Sequence, residues 1–151
     1  MARAAPAFLA AAFALAGCGG GGGGDRLSQA EFVRQADAIC KEYEAKLDAL
    51  PTPQSPADIA GFADKAIPIA EEGRDKLGDL NPPENQQDTY DAWLEQGDRS
   101  IDIVERLRDA AEDGDQAELQ QIAQEAETID NESTRLANEL GLEDCGGTAT
   151  P

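Results

Sequence analysis

Apolar residues recur at spacings of three and four along four successive stretches of this chain. The first stripe runs Phe32, Ala36, Ile39, Tyr43, Leu47 and Leu50, and the second Ile59, Phe62, Ala66, Ala70, Gly73, Leu77 and Leu80. The third is Tyr90, Trp93, Gly97, Ile101, Val104, Leu107 and Ala111, and the fourth Leu119, Ile122, Ala126, Ile129, Ser133, Leu136 and Leu140. That alternation places each set on one face of a helix, with the polar residues between them turned to water. No stretch of useful length alternates with the period of two that a half-buried strand needs.

The residues between the stripes are helix starts and stops. Ser28 and Glu31 form a capping box, with Leu27 and Phe32 placed as a hydrophobic staple around it. Pro51-Thr52-Pro53 ends the first helix, and Ser55-Pro56-Ala57-Asp58 opens the second with proline at its first position. Pro68 falls inside that second helix and removes one backbone donor, so a kink is expected near the preceding turn. Asn81-Pro82-Pro83-Glu84 opens the third, with both prolines expected in its first turn. Gly114 closes it, Asp115-Gln116-Ala117-Glu118 opens the fourth, and Gly141 stops that one with Leu142 placed for the accompanying apolar contact. The expected fold is all-α: an antiparallel up-down four-helix bundle over 27–145, with helices at 28–50, 56–80, 82–113 and 115–140 and a loose tail at 146–151. The order of the helices around the bundle is not fixed by the sequence.

The segment ahead of the helices is of another kind. Arg3 and the α-amino group give a positive start, followed by an apolar run from Ala4 to Ala16 broken only by Pro6. Such a run is too short for a membrane span, which needs ~20 residues, and suits a signal-peptide core. It ends in Leu15-Ala16-Gly17-Cys18, which resembles the lipobox of bacterial lipoproteins. The resemblance implies removal of residues 1–17 by cleavage between Gly17 and Cys18, and a diacylglyceryl thioether carrying palmitate-type chains on Cys18, with N-acylation of the new terminus as an option. Two or more acyl chains make a stable anchor where one does not. The expected address is the extracytoplasmic face of a bacterial cell membrane, reached by lipid and without a transmembrane helix in the mature form. An ordinary signal peptide with an incidental Cys18 is the alternative. Gly19 to Gly24 then give a flexible tether over 18–26, with a stand-off of about 10–20 Å. A phosphate-cradling glycine loop would need a strand before it and Gly-Lys-Ser/Thr after it, and has neither.

Charge and absences narrow the chemistry. Acidic residues number 31 against 12 basic, for a formal net charge of −19 over 151 residues. Such a surface repels nucleic acid and anionic lipid and favours solubility or cationic partners. The chain has no histidine, and its single methionine is Met1. Serine–histidine and cysteine–histidine catalysis, histidine-ligated zinc, and histidine or methionine ligation of haem and copper are all excluded. No cofactor is expected. Acid–base chemistry by paired carboxylates survives in principle, but no pair stands out, so the chain reads as a non-enzyme. The acidic group Asp109, Glu112, Asp113 and Asp115 around Gly114 is a weak candidate for a hard cation, lacking the spacing of a calcium loop.

Beyond Cys18, two cysteines remain, Cys40 and Cys145. Outside the cytoplasm an even remainder of two reads as a disulfide. It requires the chain to turn at Gly141 and run back along the first helix; a redox-active pair is the alternative, without a Cys-x-x-Cys to support it. Tyr43, Tyr90 and Trp93 read as core or as the lining of a ligand pocket, and Gly73 and Gly97 as close helix approach or the border of a cavity. Ala30-Glu31-Phe32 with Ala36 to Cys40, the Pro82-Pro83 turn before Trp93, and Glu139 to Leu142 with Cys145 together resemble small lipoproteins of high-GC Gram-positive, actinobacterial type. That resemblance implies the address and the disulfide and brings no activity or site residue with it.

Two functions fit. The first, which the sequence favours, is a non-catalytic envelope protein that scaffolds or docks an unidentified envelope protein or wall polymer. The second is a small-molecule or cation binder that uses the acidic group or a bundle cavity near Pro68, Gly73 and Trp93. A large apolar pocket lined by the aromatics would favour the second.

Overall fold

A computed structural model describes residues 25–146 of the chain. The expected signal peptide, the lipobox with Cys18, the glycines of the tether and positions 147–151 of the tail lie outside the described residues. Four helices follow one another: α1 Gln29–Asp48, α2 Pro56–Gly78, α3 Gln87–Asp113 and α4 Gln116–Leu140. No strand occurs among the described residues. The architecture is an antiparallel up-down bundle in which α2 packs on α1 and on α3, and α3 packs on α4.

The helix ends are built as their sequences dictate. Ser28 Oγ accepts from the Glu31 amide, and the Glu31 carboxylate accepts from the Ser28 amide, so the capping box of α1 is complete. At the start of α4, Asp115 Oδ1 accepts from the amides of Ala117 and Glu118 at 3.0 and 3.1 Å. The far ends of α3 and α4 close on Gly114 and Gly141, at φ +70° and +77°, where an L side chain is strained. Beyond each glycine the next amide bonds back into the helix, Asp115 to Ala110 O and Leu142 to Ala137 O, both at 2.9 Å. Leu142 is buried against Ala137 and the adjoining core.

The start of α3 differs from its sequence expectation. Pro82 and Pro83 precede the helix; Pro83 is extended at φ −53° and ψ 144°, and a 3₁₀ turn over Glu84–Gln86 leads into Gln87. The second proline bars the α conformation at the first, so the pair cannot share one helical turn. The segment is anchored instead of coiled. Pro82 is fully buried, its carbonyl accepts from Arg26 Nη1 at 3.0 Å, and the Leu27 amide donates to Asn81 O at 2.8 Å.

The bundle closes between its first and last helices by a strap. After Gly141 the chain turns back along α1: the amides of Glu143 and Asp144 donate to Asp37 Oδ1 at 3.1 and 3.0 Å. Lys41 pairs with Asp144 at 2.7 Å, and Cys40 is bonded to Cys145 with Cα atoms 5.3 Å apart. Gln29 Nε2 donates to Leu140 O at 2.9 Å at the base of the same seam.

Two apolar clusters make the core, and they are separate. The lower one joins Phe32 and Ala36 of α1 to Tyr90 and Trp93 of α3 and to Leu136, Ala137 and Leu140 of α4. The upper one consists of Ile103 and Ala110 of α3 with Ile122 and Ile129 of α4. Between them the apolar stripes carry small residues, Ala70 and Gly73 in α2, Gly97 in α3 and Ser133 in α4, with the exposed Ser100 of α3 at the edge. Their side chains do not span the space between helices, and the core divides there.

Candidate ligand cleft

The divided core leaves a cleft of about 480 Å³ bounded by α1, α2 and α3, with Ser133 of α4 and the returning strap at its edge. Its walls are apolar. Leu47 of α1, Phe62 of α2, and Ile101 and Val104 of α3 supply most of the bulk, and each is only half-buried. These residues belong to the apolar stripes of their helices; here they face open space.

The aromatic residues divide between the two roles left open by the sequence. Tyr90 is core: it is 1% exposed, meets Phe32 edge-to-face at 5.0 Å, stacks on Trp93 at 5.9 Å, and donates its hydroxyl to Leu77 O. Burial pushes its phenol well above the ordinary value. Tyr43 and Trp93 line the cleft. The Trp93 indole N–H is buried without an acceptor among the described residues, one donor left unmatched beside the cavity.

Both glycines border the cleft, and Gly73 also serves close approach. A Cβ on Gly73 would lie 2.8 Å from Tyr43 Cγ, so the Tyr43 ring packs directly on its backbone. A Cβ on Gly97 would meet only Arg74 Cγ at 3.7 Å, an ordinary contact. Pro68 lies within α2 and is exposed, and it takes no part in lining the cleft.

Charged groups sit only at the rim. Arg74 binds Asp98 through Nε and Nη2 at 2.5 and 2.9 Å, tying α2 to α3, and this carboxylate raises the guanidinium pKa. Asp144 and its partner Lys41 stand at the other side, where the ion pair raises the lysine. Glu44 lines the rim from α1 and is exposed.

The remaining sequence candidates fall elsewhere. Cys40 and Cys145 are joined, and the bond lies at the edge of the cleft. Gly17 and Cys18 lie outside the described residues. Asp109, Glu112, Asp113 and Asp115 are not brought together as a cation site. Asp109 is engaged by Arg108 at 2.9 Å, Asp115 is the cap of α4, and among the described residues no group of three His, Cys, Asp or Glu side chains could hold a metal ion. The Asp115 carboxylate, as the cap of α4, points back at the amides of Ala117 and Glu118. No described carboxylate is buried, and no described helix is long and apolar enough to cross a membrane.

What the sequence reading missed is the cleft's extent, and its signal lay in the alignment of Ala70, Gly73, Gly97, Ser100 and Ser133 at one level of the bundle. That alignment becomes visible only once the helices are placed side by side. No family model matches this chain, and no curated protein or solved structure shows significant similarity to it.

Proposed function

We propose that this chain is a lipid-anchored extracytoplasmic binding protein that holds a small apolar or amphiphilic molecule in the cleft between α1, α2 and α3, without a catalytic step. The observation that carries the reading is the 480 Å³ of apolar-walled space between α1, α2 and α3. This is within the ~300–1,000 Å³ of small-molecule sites. Space left unfilled in a core lowers stability, and a bundle serving only as a scaffold gains nothing from it. The apolar surface is also gathered in a concave slot, which suits a small ligand better than the flat patch a docking protein uses. The anchor rests on the Leu15-Ala16-Gly17-Cys18 lipobox, and the small actinobacterial-type lipoproteins that the chain resembles share that address.

The test is direct because Trp93 is the only tryptophan of the chain and lines the cleft. The core, the helix caps and the disulfide all lie between Leu27 and Cys145, so the span from Asp25 to Pro151 carries its own fold. Titrating that oxidised span with decanol is expected to shift Trp93 emission along a saturable curve of one ligand per protein. A signal that never saturates, or none, overturns the cleft as a binding site. Mass spectrometry of the membrane-extracted protein is expected to find the diacylglyceryl adduct on Cys18, and an unmodified Cys18 overturns the anchor.

A further inference from the structure

The rim of the cleft defines the charge of what can enter. Three charged side chains line it: Glu44, Arg74 and Asp144. Arg74 is engaged by both oxygens of Asp98, and Asp144 is engaged by Lys41. Lys46, one helical turn beyond Glu42, is held by the Glu42 carboxylate at 2.9 Å and lies 3.8 Å from the centre of the Tyr43 ring. Glu44 alone of the three lining charges has no ion-pair partner among the described residues. The unbalanced charge at the mouth is therefore one exposed carboxylate, set in a molecule whose formal charge is −19. Field and rim act in the same direction: both draw a cation and repel an anion. The walls agree. Aromatic faces attract cations, and Phe62 and Trp93 line the cleft.

We propose that the cleft takes a cationic amphiphile, its apolar body seated against Leu47, Phe62, Ile101 and Val104 and its amine or quaternary ammonium head held at Glu44. The inference rests on the ligand-binding reading of the cleft. A neutral molecule of the same body gains the apolar burial alone, and a fatty-acid carboxylate or a phosphate head loses part of that gain to repulsion. One carboxylate at contact distance in water-like surroundings changes affinity by about fivefold for a unit charge, so cation and anion should differ by roughly tenfold or more at low salt. The difference should narrow as the Debye length falls.

The experiment uses three probes with one chain and three heads: decyltrimethylammonium, decanol and decanoate. Each is titrated below its micelle concentration against the oxidised Asp25–Pro151 span, with Trp93 emission as the readout and circular dichroism as the check on folding. The expected order of affinity is cation, alcohol, anion, with about tenfold or more between the first and last at low ionic strength. Glu44→Lys is expected to abolish or invert the cation's advantage over the anion, and circular dichroism checks that the exposed replacement leaves the core intact. Saturable decanol binding with no preference for the cation overturns the head-group inference and leaves the cleft reading standing. A cation preference untouched by Glu44→Lys overturns the placement of the head. Failure of all three probes to reach Trp93 overturns the cleft reading and this inference with it.

Discussion

At the scale of single residues, the two glycines of the inner stripes have opposite roles. Gly73 lies under the Tyr43 ring, and its missing side chain is what lets α1 and α2 meet there. Gly73→Ala drives a methyl into Tyr43 Cγ and Cβ, atoms close to the α1 backbone that cannot swing aside, and is expected to cost about 1–3 kcal/mol. Gly97→Ala has room, and the gain in helix propensity should leave stability equal or up to about 1 kcal/mol higher. Urea unfolding of the two variants measures both, and equal effects would refute the distinction. Sequence spacing placed both glycines on inward stripes and could not separate them, since the difference depends on which side chain of a neighbouring helix lies opposite.

Tyr90 supplies a second test at this scale. Its phenol is raised by burial, so the folded protein keeps a proton that the unfolded chain releases. Stability from this group is fully present below about pH 10, the ordinary phenol value, and declines as pH rises beyond it. Tyr90→Phe loses the hydrogen bond to Leu77 O, at about 1–2 kcal/mol near neutral pH, and should unfold with a shallower alkaline decline. An alkaline limb identical to that of the wild type would contradict the account.

At the scale of elements, the caps were the most legible part of the chain. The capping box at Ser28, Asp115 before α4, and glycines past α3 and α4 act through local chemistry, so a few adjacent residues suffice to read them. The prolines before α3 were misread for a physical reason. Each is acceptable at a helix start alone, but a proline disfavours the α conformation in the residue before it, and Pro83 itself is extended, with a 3₁₀ turn between it and the helix start at Gln87.

The strap from Leu142 to Cys145 was also legible, because the disulfide needs a chain that returns along α1. Its importance was less so. The seam between α1 and α4 is held largely by the Cys40–Cys145 bond, the Asp37 and Lys41 contacts to the strap, and the Phe32 cluster at its base. With a sequence separation of 105, the cross-link contributes up to about 4–5 kcal/mol in the chain-entropy account. The double variant Cys40→Ser/Cys145→Ser is expected to lose most of that in chemical denaturation, and hydrogen exchange should quicken first at residues 142–146. Uniform exchange along α4, with the strap still protected, would show that the strap is held without the bond.

At the scale of the whole molecule, two properties stand out: an excess of negative charge and a core in two parts. With 31 acidic against 12 basic residues, mutual repulsion outweighs scattered pairs such as Arg106 with Glu118 and Glu125. Added salt near neutral pH should therefore raise the unfolding temperature, and a fall would mean that the pairs dominate. The fold class was readable from four periodic stripes because each stripe is a property of one helix. The divided core was not, because a void depends on how several helices are placed side by side, where Ala70 of α2, Gly97 of α3 and Ser133 of α4 line the same space.

The most direct measurement of the central claim is to fill that space. Ala70 is half-buried on the α2 wall of the cleft, and Ala70→Leu places three more carbons there. The bundle is expected to be as stable as the wild type or up to about 2 kcal/mol more stable, with decanol affinity at Trp93 reduced at least tenfold. A loss of stability of about 1–3 kcal/mol, the signature of overpacking, or decanol binding that persists unchanged, would contradict the claim.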